Sequence, residues 1–287
     1  QGLEVIGVHL QLWDSQVGHS QEPEVEELCK QTGIKLYRLN GRQLFQERVV
    51  QPFIQGYLSG ITPNPCATCN SFIKWNLLRD LADELNIRYI STGHYIRVLP
   101  FTNHDYVHKG IDPNKDQSYF LSQLSSEQLA KAMFPIGDMV KPDVRALARK
   151  YNLVVADKKD STGVCFIGER NFKEFLMNYI PANEGEIIST DGKVVGHHDG
   201  VMYYTIGQRK GLHIGGPGEA WFVCGKDTLK NQLIVGQGSD TELLYANRVI
   251  LTDVNIINDK LVPGQNLTAK FRYRQPDEEI TVYPLED

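Results

Sequence analysis

The segments EVIGVHLQL (4–12), PEVEELCKQTG (23–33) and IKLYRLN (34–40) decide the fold class of this chain. The first alternates apolar and polar residues as a β-strand does, and the third also has the pattern of a strand. The segment between them predicts a helix, because Pro23 opens it, acidic residues fill its first turn and Gly33 follows its end. A strand, a helix and a second strand in this order predict a parallel βαβ unit with helices packed on the sheet.

Amphipathic helices and one more strand continue this pattern toward residue 180. FIKWNLLRDLADELN (72–86) predicts a helix whose apolar face consists of Phe72, Trp75, Leu78, Ala82 and Leu85. IRYISTGHY (87–95) predicts a buried strand, and ligands bind beyond the carboxyl ends of such strands, so TGHY is a candidate binding edge. Further helical patterns are SSEQLAKAMF (125–134), KPDVRALARKYNL (141–153) and NFKEFLMNYI (171–180).

From residue 181 onward the pattern becomes all-β. Hairpins are predicted at Asp191-Gly192, between WFVCGKD (221–227) and NQLIVGQ (231–237), and between LTAKFRYRQ (267–275) and EEITVYP (278–284). We therefore predict an α/β protein of three parts. These are an α/β domain over residues 1–172, a small central β domain over 173–240 and, over 241–287, the beginning of a barrel or sandwich.

Composition excludes one class of protein and disfavours a second. Apolar residues make up 41% and charged residues 23% of the 287 residues, as in ordinary globular proteins. No apolar run approaches the length of a membrane span, which excludes a membrane protein. The odd number of cysteines, five, disfavours a secreted disulfide scaffold and favours a reducing, cytoplasmic compartment. The net charge of −5 does not decide whether nucleic acid is a partner, because a local basic face can bind phosphate.

The segment TPNPCATCNSFIKW (62–75) is the sharpest local feature. Its two prolines fix the backbone before Cys66 and predict a rigid loop. We expect a helix to start right after Cys69, where the positive end of the helix dipole would stabilise a thiolate. A zinc site would need a second close pair of ligands, a thioredoxin-like dithiol would need a strand before it, and two unreactive thiols are the plainest alternative. A reactive thiol is the favoured interpretation.

A second cysteine loop is KKDSTGVCFIGERNF (158–172). Cys165 lies between a Ser-Thr-Gly turn and a short apolar run, with Lys158, Lys159 and Arg170 flanking it. Cations stabilise a thiolate, although a cysteine in such a run is more often a buried core residue. Cys165 becomes a candidate reactive thiol because a second cysteine segment, the one around Cys69, is also present.

Three further segments could contact phosphate or RNA. KDQSYFL (115–121) predicts a loop and helix start, and YTIGQRKGLHIGG (204–216) predicts a glycine-rich turn region with cations. In KFRYRQ (270–275) a strand would present three cations on one face, either to RNA or to solvent. No phosphate-loop, dinucleotide, zinc-protease or serine-hydrolase motif stands in a matching context.

Six motifs occur in order along the chain: TPNPCATCN with FIKW, STGHY, KDQSYFL, DSTGVCFIGERNF, YTIGQRKGLHIGG and FRYRQ. Together they resemble the bacterial tRNA-specific 2-thiouridylase family over nearly the whole chain. The resemblance implies a HUP-type parallel sheet of the PP-loop ATP pyrophosphatase class, then a small central β domain and a C-terminal β-barrel. It also implies a sulfurtransferase that thiolates the wobble uridine of Lys, Glu and Gln tRNAs.

The chemistry implied by the resemblance uses ATP and Mg²⁺ to adenylate C2 of the uridine, which makes its oxygen a good leaving group. A persulfide sulfur can then attack C2. By resemblance, Cys165 carries the persulfide, and Cys69 is the second catalytic cysteine, able to form a disulfide with Cys165 as sulfur is released. The sulfur comes from a cysteine desulfurase or a relay protein.

The resemblance also implies binding residues. Those at the target base, which is extruded from the anticodon loop, are Asn64, Pro65 and Cys66. Those at adenosine are Leu10 and Gly93. Those in contact with tRNA are His94, Lys115, Asp116, Gln117, Arg272 and Tyr273.

The chain departs from the family pattern in three respects. The phosphate-binding loop SGGVDSS is not among these 287 residues, and without it we expect no ATP turnover from them alone. The stretch between Trp13 and Pro23 is shorter than in the family, and the last barrel strands are not among these residues. Many family members have Asp at the position of Cys66, and a thiol with a pKa of about 8.5 transfers protons differently from a carboxyl.

Two alternatives belong to other function classes. One is a different PP-loop enzyme that adenylates another RNA base, which would have no reason to hold Cys69, Cys165 and FRYRQ together. The other is an RNA-binding or zinc-stapled module with structural cysteines, which predicts bound zinc.

Overall fold

The computed structural model describes residues 3–13, 22–101, 104–160, 163–167, 172–238, 242–257 and 261–285. Contacts within the chain divide it into two compact units. Unit 1 comprises residues 1–48, 66–160 and 253–287, and unit 2 comprises residues 49–65 and 161–252. Each unit is therefore built from segments that are distant in the sequence.

The helices of the described residues are short or of moderate length. The α-helices are α1 (Glu22–Thr32), α2 (Arg42–Phe45), α3 (Gln51–Leu58), α4 (Pro65–Thr68), α5 (Trp75–Glu84), α6 (Ser118–Leu121), α7 (Ser126–Ala130), α8 (Lys141–Lys150) and α9 (Phe172–Met177). Two segments are π-helical, Gln46–Val50 and Cys69–Lys74, and two are 3₁₀-helical, Val201–Tyr203 and Glu242–Leu244.

The strands of the described residues form one four-stranded and four two-stranded sheets. They are β1 (Ile6–Gln11), β2 (Lys35–Asn40), β3 (Ile90–Ser91), β4 (Ile96–Phe101), β5 (His104–Lys109), β6 (Ala132–Met133), β7 (Gly185–Ser189), β8 (Val194–His198), β9 (Trp221–Asp227), β10 (Gln232–Gln237), β11 (Gln265–Ala269) and β12 (Glu278–Val282).

The predicted βαβ unit is confirmed in β1, α1 and β2. The two strands pair in parallel from Ile6 opposite Lys35 to the last residues of both strands. Gly33 follows α1 with φ +69°, a left-handed conformation that ends a helix at little cost to glycine. A side chain at Gly7 would place its Cβ 3.1 Å from Cys29 Sγ, so glycine lets α1 pack closely on β1.

The helix that carries the two cysteines of CATC begins earlier than predicted. Helix α4, the π-helical segment Cys69–Lys74 and α5 follow one another without a break from residue 65 to residue 84. The prediction that a helix starts after Cys69 is therefore wrong. Pro65 opens the helix, because its fixed φ and missing N–H suit the first helical position.

The apolar face predicted for this helix is correct only in part. Trp75 and Ala82 are buried in a core cluster together with Ile90, Ile96, Leu121, Leu124 and Leu129. Phe72, assigned to the same face, is 55% exposed. It lies in the π-helical segment, where bonding from residue i to i+5 widens the turn, so the α-helical spacing no longer places it beside Trp75.

The predicted strand over residues 87–95 is reduced to the two residues of β3, which pairs in parallel with β6. Beyond it, the Tyr95 N–H and carbonyl bond to Gln117 and not to a neighbouring strand. An antiparallel hairpin, β4 with β5, then follows. The sequence analysis did not predict this hairpin.

Unit 2 contains the small β domain, whose strand order is β8-β7-β10-β9. Asp191-Gly192 connects β7 to β8 as predicted, with Gly192 at φ +86°. The predicted pairing of β9 with β10 is also confirmed. One face of the sheet is closed to water, because Ile187, Val223 and Leu233 have no exposed surface. Residues 204–216 form turns, as expected from their glycines.

The last hairpin, β11 with β12, is confirmed, but KFRYRQ is not part of a strand. Residues 270–277 form the turn between the two strands, and Gln275 N–H donates to the Arg272 carbonyl at 3.1 Å. The prediction of three cations on one strand face is therefore wrong. Side-chain contacts of Tyr273 and Asp277, described below, hold this turn. None of the sheets in the described part of the chain closes into a barrel.

Candidate active site

The CATC helix is fixed to its neighbours by polar contacts on the side of its π-helical segment. Asn70 Nδ2 donates to the Phe120 carbonyl at 3.1 Å. Gln128 Nε2 donates to the Ser71 carbonyl and to Asn76 Oδ1, both at 3.0 Å. Cys69 lies at the start of this segment and is buried, whereas Cys66 is only partly buried. The positive end of the helix therefore lies nearer to Cys66 than to Cys69.

Two buried polar atoms close to Cys69 in sequence have no hydrogen-bond partner among the described residues. They are Asn70 Oδ1 and Trp75 Nε1. An unsatisfied buried polar atom costs about 1–3 kcal/mol, so such atoms are kept where a ligand or water can pair with them. Sequence reasoning missed both residues, although Asn70 directly follows the catalytic candidate Cys69.

His94, in the TGHY segment, is held as a neutral imidazole. Its Nδ1 is 2.8 Å from Thr92 Oγ1, and its ring meets the edge of the Phe134 ring with centroids 6.3 Å apart. Burial, together with the nearby charge of Lys74, lowers the pKa of His94 to about 4. At neutral pH His94 can therefore offer a ligand a hydrogen bond but not a positive charge.

The KDQ segment is attached to TGHY. Gln117 Oε1 accepts from the Tyr95 N–H at 3.0 Å, and the Gln117 N–H donates to the Tyr95 carbonyl at 3.1 Å. Asp116 is buried and accepts from the N–H groups of Gly110 and Ser118 at 3.1 and 3.2 Å. The structure thus brings His94 and residues 115–117 together. The Asp116 carboxylate is occupied by hydrogen bonds within the protein.

Two glycines lie against the backbone of Tyr95 and Ile96, the two residues that follow His94. A Cβ at Gly110 would lie 2.5 Å from the Tyr95 carbonyl oxygen, and one at Gly137 would lie 1.9 Å from the Ile96 carbonyl oxygen. Real Cβ atoms do not approach so closely. The position of Tyr95 therefore depends on the absence of a side chain on either side.

The FRYRQ turn packs on the helix that follows KDQ. The ring of Tyr273 lies 4.4 Å from the ring of Phe120 and 6.0 Å from that of Tyr119, centroid to centroid. Tyr119 Oη donates to the Phe271 carbonyl at 3.2 Å. Burial raises the pKa of Tyr273, and the charge of Asp116 contributes in the same direction. Arg272 is exposed beside this contact.

The two residues assigned to adenosine lie near the carboxyl ends of strands in different sheets. Leu10 is the second-last residue of β1, and Gly93 is the second residue after β3. No described strand joins the β1–β2 pair to the β3–β6 pair. Both nevertheless have the strand-end position at which parallel sheets bind ligands.

In unit 2, Cys165 is exposed, in a turn closed by the Ile167 N–H and the Val164 carbonyl at 3.0 Å. The next residue, Phe166, anchors the turn, because its ring contacts that of Phe53 with centroids 5.3 Å apart. The alternative interpretation, that Cys165 is a buried core cysteine, is therefore wrong. Of its predicted cationic neighbours, Lys158 pairs with Glu24, and Arg170 lies outside the described residues.

Asn64 and Pro65 precede Cys66 at the entrance to the CATC helix, where Asn64 is partly buried and Pro65 is buried. Their contact with a target base stays a prediction, as does the pairing of Cys69 with Cys165.

Two searches of the described residues gave negative results. No helix in them combines the length and apolar character needed to cross a membrane. No group of three His, Cys, Asp or Glu side chains in them is placed to hold a metal ion.

Comparison with known proteins identifies the family. Residues 1–169 match the family described as the tRNA methyl transferase HUP domain, and residues 173–237 match the tRNA methyl transferase PRC-barrel domain. The predicted limits of the three domains, 1–172, 173–240 and 241–287, stay predictions.

Relatives of known name cover the whole chain. The tRNA-specific 2-thiouridylase MnmA 2 of Geobacillus kaustophilus is 48% identical over 100% of this chain and 79% of its own length. The tRNA-specific 2-thiouridylase MnmA of Listeria monocytogenes is 46% identical with the same coverage, and that of Alkaliphilus oremlandii is 48% identical over 99% of this chain and 80% of its own length. The chain therefore belongs to the tRNA-specific 2-thiouridylase family, with a HUP domain followed by a PRC-barrel-like domain.

Proposed function

We propose that this protein is a tRNA-modifying transferase that replaces the C2 oxygen of the wobble uridine of Lys, Glu and Gln tRNAs with sulfur, using ATP. Membership of the 2-thiouridylase family supports the reaction class. We place it in the cytoplasm, where tRNA is modified and cysteines stay reduced.

One structural observation links the proposed function to particular residues. The Tyr95–Gln117 bonds and the Phe120–Tyr273 contact bring three RNA-binding candidates into one unit, although more than 170 residues separate the first from the last. These candidates are His94, Lys115–Gln117 and Arg272–Tyr273. A single surface built from distant motifs is what recognition of a folded RNA requires.

We assign the sulfur chemistry to Cys165 and Cys69. The terminal sulfur of a Cys165 persulfide attacks C2 of the activated uridine and forms the C–S bond, and AMP leaves with the C2 oxygen. Cys69 then attacks the inner sulfur of Cys165, which breaks the S–S bond of the persulfide and forms a Cys69–Cys165 disulfide. The two thiols are thereby oxidised, and the transferred sulfur is reduced. A cysteine desulfurase or sulfur-relay protein loads Cys165.

Leu10 and Gly93 are assigned to the adenosine of ATP. Among the described residues, a Cβ added at Gly93 would meet within 4 Å a single side-chain atom, of Ile136 at 3.9 Å, so a ring can approach the backbone there. Leu10 belongs to β1, which pairs among the described strands with β2 alone and so keeps a second backbone edge. ATP supplies the adenylate that activates C2. Among the described residues, no group of three His, Cys, Asp or Glu side chains is placed to hold Mg²⁺.

Asn64, Pro65 and Cys66 are assigned to the target base. They occupy the first turn of the CATC helix and the residue before it, close in sequence to Cys69. This position would bring C2 of an extruded uridine toward the buried thiol.

The test is thiolation of transcribed tRNA-Glu by the full-length protein with ATP, Mg²⁺ and a persulfide donor, measured by retardation in a mercury-containing gel. We expect an ATP-dependent retarded band that Cys69→Ala abolishes. Cys165→Ser should abolish it when a persulfide donor supplies the sulfur, and should leave tRNA binding nearly unchanged.

Cys29→Ser and Cys224→Ser are the matched controls, because each removes a thiol that the mechanism does not use. They should retain the band. Thiolation that survives Cys69→Ala would remove Cys69 from the mechanism, and tRNA binding without any thiolation would favour another base or reaction.

A further inference from the structure

Three cations surround a single carboxylate on unit 1, outside the residues assigned above to the base and to adenosine. Lys115 Nζ lies 2.6 Å from Asp160 Oδ2. Lys141 Nζ and Arg145 Nη2 each lie 3.2 Å from Asp160 Oδ1. All four side chains are about one-third exposed, so a ligand from solvent can reach them.

A second carboxylate that acts on Tyr95, that of Asp112, is already engaged by backbone groups. Asp112 is buried, and its Oδ2 accepts from the Lys141 N–H at 2.9 Å, which caps the start of α8. Its Oδ1 accepts from the Asn114 N–H at 3.0 Å. Asp160 is thus the group that faces the three cations, and the cluster keeps an excess of positive charge.

A buried hydroxyl beside the cluster has no partner. Tyr95 is 5% exposed, and its Oη makes no hydrogen bond within the described residues. Lys141 Nζ lies 5.8 Å from the centroid of the Tyr95 ring. Burial raises the pKa of Tyr95, with Asp112 and Asp160 acting in the same direction, so the hydroxyl stays protonated and can donate. A buried donor without an acceptor, next to clustered cations, indicates a missing anionic ligand.

The donor set suits a phosphate better than the carboxylate now present. Two ammonium groups and a guanidinium carry about eleven N–H donors, and two carboxylate oxygens can accept only a few of them. Phosphate oxygens accept charge-assisted bonds from Arg and Lys in several directions at once. The Asp160 carboxylate occupies the position that a phosphate would take.

We propose that Lys115, Lys141, Arg145 and the Tyr95 hydroxyl bind a backbone phosphate of the substrate RNA, and that Asp160 holds this place in the free protein. The proposal rests on the proposed function, since it needs an RNA substrate. It adds Tyr95, Lys141 and Arg145 to the RNA-binding residues, and it gives Lys115 a specific ligand.

The test compares two arginines of α8 one helical turn apart. Arg145→Gln removes a cluster cation, whereas Arg149→Gln removes an exposed cation that pairs with Asp157. The dissociation constant for tRNA is measured for the full-length protein over a series of salt concentrations. We expect Arg145→Gln to weaken binding three- to tenfold and to lower the slope of log Kd against log salt by about 0.7–0.9, the loss of one phosphate contact. Arg149→Gln should leave the slope unchanged.

Asp160→Asn should change the affinity for tRNA in the opposite direction. It removes the competing charge while keeping the shape of the side chain, so tRNA should bind more tightly. Weaker or unchanged binding would overturn the claim that Asp160 occupies the place of the phosphate.

The remaining outcomes separate the explanations. A lowered melting temperature in Arg145→Gln with an unchanged slope would make the cluster a structural ion-pair network and overturn the site. A raised KM for ATP, or lost competition by inorganic pyrophosphate, at unchanged tRNA affinity would assign the phosphate to the nucleotide and overturn the RNA site. A wild-type protein that binds no tRNA would overturn the proposed function itself.

Discussion

His94 illustrates how burial changes what a side chain can do. An exposed histidine near RNA would gain charge as the pH falls below about 6.5 and would bind phosphate more tightly. Here burial and Lys74 keep the imidazole neutral down to a pKa of about 4. Its contribution at neutral pH is therefore shape and hydrogen bonding, aided by Thr92.

The lowered pKa of His94 makes the free energy of unfolding depend on pH. Between about pH 6.5 and pH 4 the unfolded chain binds a proton at His94 and the folded chain does not, so folding stability falls as the pH falls through this range. The loss reaches at most about 3 kcal/mol at the acid end. Urea unfolding of the wild type and of His94→Asn at several pH values measures it. His197→Asn, which removes an exposed imidazole, is the control, and a slope that survives in His94→Asn would assign it to other groups.

At the residue scale, motifs predicted the candidates but not their environments. KDQ was found from sequence, yet the internal bonds of Asp116 depend on Gly110 and Ser118 folding around it. Asn70 and Tyr95 drew no prediction, because an unpaired atom is recognisable only when its surroundings are known.

At the scale of the element, the CATC helix departs most from expectation. Periodicity predicted its existence and its core contact at Trp75, because that residue lies in the regular part. The π-helical segment depends on tertiary bonds, such as those of Gln128 to Ser71 and Asn76, which no local pattern records. The FRYRQ turn differs for the same reason: the packing of Tyr273 and the ion pairs of Asp277 with Lys109 and Lys270 override its strand pattern.

Two matched truncations test which face of the CATC helix is buried. Trp75→Ala removes a side chain that is 1% exposed and should lower the free energy of unfolding by about 3–5 kcal/mol. Phe72→Ala removes one that is 55% exposed and should change it by about 0.5 kcal/mol or less. Urea unfolding followed by circular dichroism measures both. Comparable losses would mean that the two rings share one buried face, as a regular α-helix would place them.

At the scale of the whole molecule, the order of segments in the chain differs from their order in space. After forming unit 2, the chain returns to unit 1 at residue 253. Asn255 Nδ2 donates there to the carbonyls of Ser122 and Leu124, at 2.8 and 3.0 Å, and Ile257 packs on the core cluster. Sequence patterns divide a chain into consecutive pieces, so they could not show this return.

Asn255→Ala tests how far the returning segment stabilises unit 1. Two carbonyls lose their donor, so unfolding followed by Trp75 fluorescence in a Trp13→Phe, Trp221→Phe background should show a loss of about 1–3 kcal/mol. Asn266→Ala is the control, because the Asn266 contact with Thr281 stays within the β11–β12 hairpin. Equal losses in the two variants would mean that Asn255 has no special part in holding the segment.

The two glycines around the Tyr95–Ile96 backbone bear on how this protein can change over time. Most surface positions near a binding site can drift in sequence, since a new side chain turns toward solvent. Gly110 and Gly137 have no such freedom, because any substitution would push a Cβ into a carbonyl oxygen. Alanine, the smallest change available, would displace the segment that carries His94 and the unpaired Tyr95 hydroxyl. Selection for RNA recognition would therefore act on two residues that carry no functional group.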